Sequence, residues 1–168
     1  MQKLINFNYK TLILNFLIVI IIFSIDRFSK VYLLNLAEEG ILINFYIFSF
    51  LNLYLTWNTG IGFGLFSFDS GLIYNLISTI IGLINLLIIY LIINTKNINR
   101  YFLLIILGGS LGNFFDRIYY SAVPDFIDIH IGDFHWFIFN IADIFITIGI
   151  LWLILIEIIL KKKNENTI

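Results

Sequence analysis

Four long apolar runs, at about 11–34, 72–93, 101–120 and 136–160, constrain this chain more than any other feature. A membrane-spanning helix needs roughly 20 mostly apolar residues, and each run meets that length. Charged residues make up 12 % of the sequence and hydrophobic ones 60 %, against about 25 % and 45–50 % in a soluble domain. The runs therefore predict a membrane α-helical protein with four spans. The 168 residues suit a single integral membrane unit, 1–168, and no internal repeat or linker interrupts them. The first run follows Lys3 and Lys10 like a signal peptide. It lacks a small-residue cleavage site before Asp26, and three more runs follow, so it reads as a retained helix.

Orientation follows from the cations. Lys3 and Lys10 precede the first span, Lys96 and Arg100 separate the second from the third, and Lys161, Lys162 and Lys163 follow the fourth, seven of the ten Lys and Arg residues. Cytoplasmic loops collect positive charge, so both termini are expected in the cytoplasm. The opposite face then receives the segments 35–71 and 121–135, with Glu38, Glu39, Asp69, Asp125, Asp128 and Asp133. Within the first of these, 41–58 is rich in aromatic and branched residues. It fits strands or a surface helix, as a connecting loop or a flap over a substrate, before Gly60, Gly62 and Gly64 break the pattern.

Ionisable groups at membrane depth are costly and face a protein interior, a partner or a water-filled cavity. The remaining cations, Arg27, Lys30 and Arg117, all lie near acids. Asp26 and Lys30 are four apart, on one helix face, as a structural ion pair would be. In "GGSLGNFFDR", Gly109, Gly112 and Asp116 share a face, and Asn113 and Arg117 form the adjacent row. That pattern suits a close helix contact with a snorkelling Arg, or polar groups aimed into a site. Pro124, the one proline, directly precedes Asp125 and favours an extended or turn segment there. Asn140 and Asp143 stand where a helix N-cap and its third residue would stand. Capping accounts for those two, but not for Asp125, nor for Asn113 and Arg117 pointing to the same boundary.

Other chemistries find less support. The chain has no cysteine, which excludes disulfides, thiolate metal sites and a cysteine nucleophile. Ser110 with His130 or His135 as base lacks a partner carboxylate. The histidines are five apart, wrong for one helix face, and no HExxH occurs. No metal or cofactor is expected, and no nucleic acid.

Five motifs in order resemble those of lipoprotein signal peptidase, the signal peptidase II family of bacterial aspartic peptidases. They are Asp26 with Lys30; Asn58, Gly60, Gly62 and Phe63; Gly108, Gly109, Gly112, Asn113, Asp116 and Arg117; Val123, Asp125 and Phe126; and Phe139, Asn140, Ala142 and Asp143. Pro124 stands where the family usually has Val, Ser110 where Ala is common, and Phe137–Ile138 replaces a Pro-containing approach. The resemblance implies a four-helix bundle with a small extracytoplasmic β-rich cradle and a mobile surface helix, drawn from 35–71. It implies catalysis by Asp125 and Asp143 at the outer boundary of the inner membrane. Asn58, Gly60, Asn113, Arg117, Asn140 and Ala142 would bind substrate or orient the pair, while Asp26, Lys30 and Asp116 would be structural. The implied substrate is a prolipoprotein whose Cys carries a diacylglyceryl group, cut just before that Cys, beside membrane lipid and by a monomer. The competing reading is a non-enzymatic polytopic protein, such as a transporter subunit or assembly factor, using the same polar residues as an ion path or helix glue.

Overall fold

The computed structural model describes residues 9–60 and 71–165. Four helices run through it: α1 Tyr9–Glu38, α2 Gly71–Asn94, α3 Asn99–Tyr120 and α4 Ile141–Glu165. Each contains a stretch long and apolar enough to cross a membrane. Strands β1 Asn44–Phe48 and β2 Leu51–Asn58 follow α1, and β3 Val123–Ile131 and β4 Phe134–Phe139 lie between α3 and α4. They form one antiparallel sheet in the order β1-β2-β3-β4.

The segment 41–58, open between strands and a surface helix, is a β-hairpin. No surface helix occurs between α1 and Gly60. Gly62, Phe63, Gly64 and Asp69 fall outside the described residues, as does Lys3. The first helix is longer than its apolar run, reaching Glu38. The fourth begins at Ile141 rather than 136, because Phe134–Phe139 pairs with β3. An apolar run does not by itself distinguish a strand from a helix, and here the strand ends at Phe139. Pro124 lies inside β3, opposite Trp57 of β2. Pairing with β4 begins only at Ile127, so the proline sits where β3 has one neighbour and a missing N–H is tolerated.

Helix α3 is the centre of the bundle and packs against α1, α2 and α4. Half of its apolar window is buried, against 11 % for α1 and α4. Those outer helices turn residues such as Phe16, Ile21, Phe28, Leu151 and Ile158 outward, as lipid requires. Ile88 and Ile92 of α2 pack with Leu103, Leu104, Ile106 and Leu107 at the far end of α3. At the other end, Leu33 of α1, Ile43 and Phe126 of β3 form a second cluster with Leu53, Leu55 and Ile141 around it. This cluster fixes the sheet to the end of α1 and the start of α4.

Close approach of the helices depends on glycine. A Cβ on Gly109 would lie 2.6 Å from the carbonyl oxygen of Ala142, and one on Gly112 would lie 2.5 Å from Asp26 Oδ2. Side chains at these positions would push α3 away from α4 and α1. The sequence pattern of a close-packing face is thus realised, with two different helices against it.

Candidate active site

The polar residues of α1 and α3 form a buried ion network. Lys30 Nζ donates to Asp26 Oδ2 at 2.8 Å, Asn113 Oδ1 at 2.8 Å and Asp116 Oδ2 at 2.7 Å, which uses all three of its protons. Lys30, Asp26 and Asp116 are fully buried. Asp116 also pairs with Arg27, whose guanidinium lies 4.7 Å from the Phe115 ring centre. Asp116 and Arg117 adjoin in sequence, but successive helical residues point about 100° apart, and Asp116 turns toward α1. Arg117 does not snorkel, being buried and donating to the Gly60 carbonyl oxygen.

From this network, hydrogen bonds lead to Asp143. Asn113, held by Lys30 through its oxygen, donates Nδ2 to Asp143 Oδ1 at 2.8 Å. Asp26 Oδ1 accepts the Ala142 N–H at 2.9 Å, satisfying a free donor in the first turn of α4. Asn140 and Asp143 cap that helix reciprocally: Asp143 N–H donates to Asn140 Oδ1 at 3.1 Å, and Asn140 N–H donates to Asp143 Oδ2 at 3.2 Å.

Capping leaves one group of each residue free for other work. Asn140 Nδ2 donates to Asp125 Oδ1 at 2.6 Å, and Asn58 Nδ2 donates to Asp125 Oδ2 at 2.9 Å. Asn58 is itself held by Gly60 N–H, which donates to its Oδ1 at 2.8 Å. Asn140 therefore touches both acids. Asp125 is 1 % exposed and Asp143 7 %, and both line one cavity of about 250 Å³. Burial, followed by the negative charge of Asp143, pushes the Asp125 carboxyl up to about 7, against the opposing pull of the Asn58 and Asn140 amides.

Asn58, Asn113, Arg117 and Asn140 line the same cavity. Gly60 is tied to two lining residues through the Asn58 and Arg117 contacts, whereas Ala142 is not in the lining and bonds to Asp26 instead. Ser110 is in the lining too, but neither histidine is, which removes a base for a serine mechanism. Two supporting residues had not been singled out for the site. Arg27 shares Asp116 with Lys30, and Tyr74 of α2 donates its hydroxyl to the Arg117 carbonyl oxygen at 2.9 Å. Only the cost of an ion at membrane depth hinted at Arg27; a tyrosine in an apolar run gives no such hint.

A family model described as signal peptidase (SPase) II matches residues 18–160. The lipoprotein signal peptidase of Pelagibacter ubique is 53 % identical over 159 residues, covering 95 % of this chain and 96 % of its own. That of Anaplasma phagocytophilum is 38 % identical, covering 91 % and 96 %. A solved structure of a bacterial membrane enzyme superposes with a TM-score of 0.66 at 28 % identity, covering 90 % of each chain.

Proposed function

We propose, for a chain that belongs to the signal peptidase II family, that Asp125 and Asp143 are the catalytic pair of an aspartic endopeptidase. The observation that carries this is the bridge: one residue, Asn140, bonds to two buried carboxyl groups that line one cavity. Two such groups do not both ionise cheaply, so they hold one proton between them at neutral pH. The ionised member takes a proton from water, whose oxygen adds to the scissile carbonyl carbon. The protonated member donates to the carbonyl oxygen. Collapse of the adduct breaks the C–N bond, and the leaving amine takes up a proton.

The substrate is a prolipoprotein whose lipobox Cys carries a diacylglyceryl group, and the bond cut is the one before that Cys. The site's position at one end of a four-span bundle suits this substrate. Acyl chains remain among the exposed apolar side chains, while the peptide bond reaches water at the edge. Asn58 and Asn113 orient the acids. Arg117 holds substrate backbone: its Nε and Nη1 are buried and have no partner among the described residues, so they are available to a carbonyl oxygen. The protein acts as a monomer in the bacterial inner membrane, with both termini cytoplasmic and the site outside. A reporter fused after Lys163 then reads as cytoplasmic and one inserted near Glu38 as external. The reverse pattern would put the acids on the wrong side for exported substrates.

Expression in bacteria depleted of their own signal peptidase II tests the activity. Prolipoprotein processing is expected to be restored. Accumulation of uncut, lipidated precursor despite normal insertion would favour the non-enzymatic reading.

A further inference from the structure

A second group of titratable side chains lies away from the cavity, along the β3–β4 hairpin. His130 and His135 are direct cross-strand partners, with ring centres 5.1 Å apart. Asp128, on the same strand as His130, reaches His135 Nδ1 with its oxygens at 2.8 and 3.0 Å. His130 Nδ1 is 3.9 Å from Asp128 Oδ2. It is buried and has no hydrogen-bond partner among the described residues. Asp128 and His130 are buried, while His135 is exposed.

We propose that Asp128, His130 and His135 form a binding site for a divalent transition-metal ion of the zinc class. One donor atom from each of the three lies within 4.8 Å of the others. Around a zinc ion with bonds of about 2.0–2.2 Å, tetrahedral donors sit roughly 3.3 Å apart. The two Asp128–histidine separations, 2.8 and 3.9 Å, bracket that value, and no pair among the three donors exceeds 4.8 Å, so shifts of at most about 1.5 Å give a coordinating geometry. Two imidazoles and a carboxylate select zinc or a neighbouring first-row ion over magnesium or calcium, which prefer oxygen alone. The exposure of His135 gives the ion an entry path and leaves the fourth position to water. The unpartnered nitrogen of His130 is the feature a simple His–Asp hydrogen bond leaves unexplained, and the metal supplies its partner. Bound there, the ion ties β3 to β4 three residues along the strand from Asp125.

The chain has two histidines and no cysteine, so imidazole-dependent zinc binding has only this place to occur. The test uses the full chain, purified in detergent without a histidine tag, stripped with chelator and titrated with zinc chloride. One zinc per chain is expected, together with a rise in Tm. His135→Ala, at an exposed position where folding is safe, weakens binding by more than about tenfold, a loss that even supporting partners of zinc ligands produce. It also removes the zinc-dependent rise in Tm. Zinc retention no greater than in a detergent blank, or equal binding by the wild type and His135→Ala, overturns the proposal. Neither readout depends on peptidase activity.

Discussion

Lys30 is an ammonium group with no exposed surface and three oxygen partners, two of them carboxylates. Such a group is tolerated at depth only because its charge and every proton are matched, and its third partner makes it useful as well. Asn113 accepts from Lys30 and is thereby turned so that its NH₂ meets Asp143. Asp125 carries the pH dependence. Its folded value of about 7 lies above its ordinary 3.8, so between those limits the folded state binds the extra proton. Its contribution to stability is complete below about pH 4 and is lost as pH rises through about 7. Asp125→Asn removes the charge that is costly to bury, so its stability relative to the wild type should climb between pH 4 and 8, by at most about 4 kcal/mol. Thermal unfolding of both proteins across that range measures it; a constant difference would show that Asp125 is not held protonated by burial.

Helices make these contacts possible by touching where α3 has no side chain. Gly112→Ala would place a methyl carbon against Asp26 Oδ2, the carboxylate that also binds the start of α4 through Asp26 Oδ1. A loss of about 1–3 kcal/mol is expected, together with reduced processing, because α1, α3 and the Asp143 turn share that residue. A Tm unchanged from the wild type would refute this account of the contact. The glycine face and the Asn140–Asp143 cap were legible in the sequence because each depends on helical spacing within a short segment. The strand just before that cap was not. Phe134–Phe139 is as apolar as a span, and only its pairing with β3 makes it a strand. The Arg27–Asp116 pair was equally hidden, since it depends on how α1 and α3 are rotated against each other.

At the scale of the whole molecule, four spans and a membrane setting followed directly from run lengths, while the sheet order required contacts distant in the chain. The sheet positions the site: β2 brings Asn58 and β3 brings Asp125 to the end of the bundle where α4 begins. Neither acid has a complete environment within its own element. The most direct measurement is cleavage of a lipidated prolipoprotein by the purified, reconstituted protein and by Asp125→Asn and Asp143→Asn, with substrate crosslinking measured in parallel. Each variant is expected to crosslink substrate as the wild type does and to cut it more than about a thousandfold more slowly. Cleavage by either variant within about tenfold of the wild-type rate would contradict catalysis by this pair.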